Sequence, residues 1–592
     1  MSTPTARALA GLLLLLVAGL LVYRPALDRV FVYDDILVVR DNGFITDPAN
    51  LAHLSGEDYL RAAGERTYRP LVTATYILDH AIWGKSPFGF GLTNLLLHVF
   101  AAWLLGLVVR RLSKSDIIAG FSALLFCWHP ALVEAVISPG NREEVLSVAL
   151  ILLAVYAYLR GREGGAGWRV LSPLALLASL YTMEWGVVVL PLLIAHSLMQ
   201  RDTRRETARH VGLHVVVVAV FLVLYFFVHP RLPGEAEWLG GGPLGGLLAF
   251  GTLFWRYVRL VVLPVALRPS YTYVAPHLAV SLLGLLALAA AVGAIALALF
   301  RRKTWALGAA LFVLALAPVS HVLMPFWIPM AERYLVLPLV GAVPLLVAFV
   351  LTRKRRKAAV ALLCLVAAAF AFGAGKRALD WRTPLALWSK AVDAEPLDPV
   401  SWTNYAAGLS AYARFADAAD AHRRAWELAQ VTGKDNADHL INYALNLSMA
   451  GKSGKACELL RSERRRYPDN VDLLLAMGDV CVQVNPCFHK QFNPYKKVML
   501  LADPEKYGRL DAYCRAWAGY CACKFTDCQD REDEEKWKRC GRNGYALLQL
   551  AALHAAAGDN AKAVRAVGLA MRTPQWPQVR ASALRFLESL KK

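Results

Sequence analysis

Apolar runs long enough to cross a bilayer recur along the first 375 residues and then stop. A hydrocarbon core of about 30 Å needs roughly 17–25 helical residues. By that measure the candidate spans are 6–23, 91–109, 117–137, 145–160, 170–183, 185–199, 211–228, 278–300, 304–323, 334–352 and 358–375, several of them short. Residues 248–267 are also apolar, but Arg256 and Arg259 interrupt them, so a re-entrant or interfacial segment is expected there. The first run resembles a signal peptide, yet Val22-Tyr23-Arg24-Pro25 offers no small-residue cleavage site. It is read as an uncleaved first helix.

From about 384 the chain becomes polar, Ala-rich and helical in pattern. Asn404-Tyr405-Ala406-Ala407-Gly408-Leu409 aligns with Asn442-Tyr443-Ala444-Leu445-Asn446-Leu447, 38 residues later. Tyr467-Pro468 closes the second copy, and a third is expected from Tyr545 with Gly558-Asp559 as its turn. Small residues at fixed places suit paired helices that stack into a concave surface, as in degenerate tetratricopeptide (TPR) repeats. The expected fold is therefore all-α: a polytopic membrane bundle over 1–383 and a TPR-like domain over 384–592. Residues 24–90 form its first external loop.

Composition sharpens this picture. Hydrophobic residues make up 57% of the 592 and charged residues only 19%, which excludes a wholly soluble enzyme. The net charge is nevertheless +20. Nineteen basic residues, against four acids, lie in short segments at Arg7, 110–116, 160–169, 201–209, 301–303 and 353–357. Basic loops mark the cytoplasmic side. The N-terminus is then inside, and an odd number of spans puts everything after 375 outside. The charge thus orients helices and gives no support to nucleic-acid binding. Ala/Arg/Leu usage and compact loops suggest a bacterial inner-membrane protein, with its C-terminal domain periplasmic.

Seven of the ten cysteines fall in an insertion at about 480–542: Cys481, Cys487, Cys514, Cys521, Cys523, Cys528 and Cys540. Their spacings fit no common zinc module, and an oxidising compartment favours disulfides over thiolate zinc. The odd count leaves one thiol free or paired with Cys457.

Candidate chemistry gathers on the external side. Asp34-Asp35 follows the first span, and adjacent carboxylates beside a membrane call for a cation, a metal or a reacting hydroxyl. His129 and Glu134 sit near the outer end of the third span, with Asn141-Arg142-Glu143-Glu144 in the next turn. Glu184 and Glu332-Arg333 fall at later outer turns. Helix-end anchoring explains any one of these as well as function does; their shared side points to a single site.

In order, Asp34-Asp35, Tyr68-Arg69-Pro70-Leu71, Pro87-Phe88-Gly89-Phe90, Asn94 to His98, His129-Pro130 with Glu134-Ala135-Val136, Gly140-Asn141-Arg142, Tyr271-Thr272-Tyr273 and Met330 to Leu335 resemble one family. It is the transmembrane-and-TPR-containing (TMTC) protein O-mannosyltransferases, within the C-type glycosyltransferases. The resemblance covers roughly residues 30–475. Two departures stand out: Thr182-Met183-Glu184, where the family usually has lysine before the glutamate, and the Cys-rich insertion.

The resemblance implies transfer of mannose or another hexose from a polyprenyl-phosphate carrier to an acceptor hydroxyl, on a protein held by the TPR-like domain. In a bacterium the carrier would be undecaprenyl phosphate. A carboxylate takes the hydroxyl proton, and one displacement inverts the anomeric carbon. The Asp34/Asp35 pair supplies that base, with Asp35 slightly favoured. Arg333, then Arg69 and Arg142, support the leaving phosphate. Glu332, Glu134 and His129 orient these groups or hold a divalent ion, and Glu184 joins the substrate side. The rival readings are a TPR scaffold anchored in the membrane and a transporter of lipid-linked glycans.

Overall fold

The computed structural model describes residues 4–501 apart from 56–58, 60–67, 229–237, 272–276, 324, 326–327, 352–354, 432–436 and 485–493, together with Val564 and Val567. Among these residues every regular element is helical. The chain divides into two compact units, Met1–Glu395 and Pro396–Lys592. The boundary falls beyond the expected 383/384 because the Pro384–Ala394 helix buries Leu387 and Trp388 in the first unit.

In that unit, eight described helices are long and apolar enough to cross a membrane. They differ in burial, which separates core from periphery. Pro139–Glu163 has 67% of its apolar window buried and Glu332–Leu351 has 61%, whereas Ala6–Leu27 and Leu278–Phe300 have 11% each. The outer helices turn leucines such as Leu14 and Leu286 outward, as lipid-facing surfaces do. Three expected spans are short helices, Ala166–Leu180, Glu184–Met199 and Trp305–Leu316. The expected span 117–137 is a pair, Asp116–Cys127 and Pro130–Ile137, bent by 49°. Trp128, His129 and Pro130 make the break, since proline cannot continue the helical ladder.

The apolar stretch with Arg256 and Arg259 forms a continuous helix, Pro243–Val262. It is long enough to cross, yet both its ends meet one end of the bundle. Gly246 lies against the His321 backbone, and Gly251 against Ser281 in the first turn of Leu278–Phe300. Near its other end the Val261 carbonyl faces the His129 ring nitrogen at 3.2 Å. The crossing with Leu278–Phe300 is so close that Gly251 and Gly284 have no room for a Cβ.

The described part of the second unit is a run of helical hairpins. Their first helices are Pro399–Ala411, Ala437–Met449 and Val471–Val482, and their second helices Phe415–Val431, Ser453–Glu463 and Pro494–Leu501. Buried Ala406, Ala418, Ala421, Ala425 and Ala444 allow close approach. The first helices of successive hairpins bond to each other: Thr403 to His439 at 3.1 Å, and Ser410 to Asn446 at 2.6 Å, each 36 residues apart. A disulfide joins Cys457 to Cys481 inside this core. A third hairpin thus starts at Val471, inside or ahead of the expected insertion. Cys487, Cys514, Cys521, Cys523, Cys528, Cys540 and the repeat expected from Tyr545 lie outside the described residues.

Candidate active site

The segment after the first helix reaches the bundle end through a strained turn. Tyr33 adopts a left-handed backbone with φ of +57°, which a bulky residue rarely takes, and a single π-helical turn follows at Ile36–Arg40. This turn points Asp34 and Asp35 in different directions, with different consequences.

Asp35 is wholly buried and ion-paired with buried Arg29. Its carboxylate also accepts from the Ser138 hydroxyl at 2.6 Å, the Gly140 N–H at 2.8 Å and the Val32 N–H at 3.2 Å. Arg29 in turn donates to the Ile137 carbonyl at 2.5 Å. Asp35 therefore clamps the segment after the first helix onto the 137–140 turn, and its lone pairs are taken.

Asp34 is half-buried and carries no hydrogen bond or ion pair among the described residues. Burial pushes its carboxyl up to about 6. Arg333 opposes that shift, while the charges of Asp35, Glu134 and Glu143 add to it. A carboxyl poised near neutrality and free of partners is what a general base requires. Its neighbour Gly140 is close enough that a Cβ there would lie 3.0 Å from the Asp34 carbonyl carbon.

Arg333 faces the same space. One of its N–H groups pairs with buried Glu134, whose carboxylate also accepts the Arg333 backbone N–H at 3.3 Å. A guanidinium has five N–H donors, so this pairing fixes Arg333 without exhausting it. Alongside, Arg69 pairs with Glu143 at 2.7 Å, both partly buried. The Trp185 ring meets Tyr334 edge-on at 5.6 Å, bringing the Glu184 turn to the flank. Glu184 itself accepts from Tyr225 at 3.3 Å.

The remaining expected residues are engaged elsewhere. Arg142 is wholly buried and bonds Asp79 at 2.5 Å, Asn94 at 2.7 Å, Thr75 and the Phe90 carbonyl at 3.1 Å each, with the Tyr76 ring 4.8 Å away. Four of its five donors are taken by the fold and the side chain is wholly buried, so it is poorly placed to receive a phosphate. His129 caps the Pro130–Leu132 turn by accepting the Ala131 N–H, and its other nitrogen faces Val261. Glu332 is wholly buried, accepting from Tyr271 at 2.8 Å, from the Arg268 N–H, and from Arg377 at 3.5 Å. Among the described residues no group of three or more His, Cys, Asp or Glu could hold a metal ion. The structure adds Glu144, 2% exposed and near Arg333, Arg69, Glu143 and Glu134. Sequence had put it in the turn without singling it out; its position one turn past Asn141 was the available signal.

The assembly defines a class: an all-α polytopic membrane protein with an acidic and arginine-bearing site at one end of its bundle. No family model matches the chain. It is similar to protein O-mannosyl-transferases among curated proteins. It is 32% identical to Tmtc1 of Drosophila melanogaster over 197 residues, which is 32% of this chain and 23% of that one. It is 29% identical to human TMTC2 over 242 residues, 38% of this chain and 29% of that one. The chain thus spans about a quarter of the length of the curated relatives it matches. An oligosaccharyltransferase of Archaeoglobus fulgidus in its apo form aligns over 67% of this chain and 59% of its own, at 13% identity and a TM-score of 0.40.

Proposed function

We propose that the protein is a membrane glycosyltransferase that moves a hexose, mannose first among candidates, from a polyprenyl-phosphate carrier to a hydroxyl on an acceptor protein. The observation that carries this reading is Asp34: half-buried, unpartnered and pushed up to about 6 beside a cation. The curated relatives, named protein O-mannosyl-transferases, support the sugar and the protein acceptor.

The step follows from these groups. The acceptor oxygen attacks the anomeric carbon as its proton passes to the Asp34 carboxylate. A new glycosidic C–O bond forms while the bond to phosphate breaks, and the polyprenyl phosphate leaves with the electron pair. One displacement from the opposite face inverts the anomeric configuration. Positive charge that builds on the sugar ring is offset by the neighbouring carboxylates. Negative charge on the leaving phosphate meets the N–H groups of Arg333 that Glu134 leaves over, with the Arg69 guanidinium further along adding positive charge. Asp35, favoured on sequence as the base, has no free lone pair for a proton, so the role passes to Asp34. Asp35, His129, Arg142 and Glu332 hold the frame.

The reaction belongs on the extracytoplasmic face, as the basic loops on the opposite side indicate. There the Cys457–Cys481 disulfide is also at home. The helical hairpins, read as TPR-like, would present the acceptor. Deleting the gene and comparing membrane and extracytoplasmic proteins by intact mass tests the whole reading. Loss of a hexose from a defined protein is expected. An unchanged proteome with altered lipids or envelope glycans would move the acceptor to another class.

A further inference from the structure

Beside the reaction centre, three polar groups are buried and left over. Glu144 is 2% exposed and makes no hydrogen bond or ion pair among the described residues. The amide nitrogen of Asn141, itself 2% exposed, has no acceptor. Tyr257, wholly buried on the inner side of the Pro243–Val262 helix, lies by the Ala331 backbone without a well-formed hydrogen bond. Sequence links two of them and electrostatics the third. Asn141 and Glu144 are one helical turn apart at the start of Arg142–Glu163, and Tyr257 is within electrostatic reach of Glu144 and Arg333.

Unpaired buried polar groups weaken a fold, so their retention at one place points to a ligand that pairs them. The donor and acceptor types narrow the ligand. A carboxylate accepts, an amide nitrogen donates and a phenol does either. An anionic phosphate would meet a carboxylate in Glu144, whereas Arg333 and Arg69 offer it cations instead. A metal ion would satisfy the carboxylate but leave the amide N–H pointing at a cation. A hydroxyl donates and accepts at once, and a sugar ring carries several.

We infer that Asn141, Glu144 and Tyr257 form the subsite that reads hydroxyl groups on the pyranose ring of the donor, separate from Asp34 at the anomeric carbon. This rests on the glycosyl-transfer reading above. In it Glu144 is a specificity residue: it rejects donors that lack the hydroxyl it accepts, because its carboxylate would then stay buried and unpaired.

The test uses the full chain in proteoliposomes, with polyprenyl-phosphate mannose and its 2-, 3-, 4- and 6-deoxy analogues as donors. The wild type is expected to penalise at least one analogue strongly. Glu144→Gln is expected to lower kcat/KM for the complete sugar by roughly 10- to 150-fold, the span of one charged hydrogen bond. Toward the penalised analogue it should lose little further, so that the two effects do not add. Its thermal midpoint should equal or exceed that of the wild type, because no folded-state partner is lost. A Glu144→Gln protein that keeps the whole penalty for every analogue, or that melts several degrees lower, overturns the inference alone. A wild type that transfers from none of these donors overturns the glycosyl-transfer reading and this inference with it.

Discussion

Two groups of charges meet at one end of the bundle, and they differ in how completely they are paired. Arg29, Asp35, Asp79 and Arg142 form a closed set around the 137–142 turn, each bonded to partners far away in the chain. Asp34 and Glu144, next to Asp35 and near Arg142 in sequence, face the other way and bond to nothing described. Burial alone does not separate scaffold from chemistry here, since Glu144 is as buried as the closed set while Asp34 is only half-buried. Incomplete pairing does. A saturated carboxylate cannot take a proton from substrate, and a saturated guanidinium cannot receive a phosphate.

Breaking the open set should act on rate, and breaking the closed set should act on stability. The largest expected effect is on catalysis: Asp34→Asn should lower the transfer rate by about 10²- to 10⁴-fold, the usual contribution of a general base, in protein that still folds. Next is Arg142→Met, which leaves Asp79 buried and uncompensated. It should cost about 3–5 kcal/mol, read as a fall in thermal midpoint in detergent or nanodiscs. The pH profile gives a third contrast. As the proposed base, Asp34 would act only when ionised, so kcat/KM should fall about tenfold per unit below roughly pH 6 and level off above it.

Smaller effects probe the contact between the two sets. Gly140→Ala would put a Cβ 3.0 Å from the Asp35 nitrogen and 3.1 Å from the Asp34 Cβ. A several-fold loss of rate with a small change in stability is expected. The smallest effect concerns linkage. A carboxyl raised above its unfolded value binds more protons folded than unfolded, so its contribution falls as pH rises through that window. Asp34→Asn should therefore be slightly more stable than wild type at pH 7.5, and the difference should vanish below pH 4.

Much of this architecture was legible in the chain. Hydropathy located the apolar helices, since lipid-facing and buried helices alike are apolar along their length. The Asp-Asp pair and the outer Glu and Arg residues were found because charged groups at a membrane boundary are conspicuous. What stayed hidden depends on distant partners. Asp35 is silenced by Ser138 and Gly140, 103 and 105 residues away, and Arg142 by Asp79 and Asn94, 63 and 48 residues away. No local pattern separates Asp34 from Asp35. The bend after Cys127 was visible as a proline, but the contact of His129 there with Val261, 132 residues away, was not.

The most direct test of the central claim compares Asp34→Asn with Asp35→Asn in purified, reconstituted protein, measuring transfer per folded molecule beside the thermal midpoint. Asp34→Asn should show background transfer at a midpoint equal to or above that of the wild type. Asp35→Asn, leaving Arg29 buried without its partner, should instead melt well below it. Near wild-type transfer by Asp34→Asn would contradict the account.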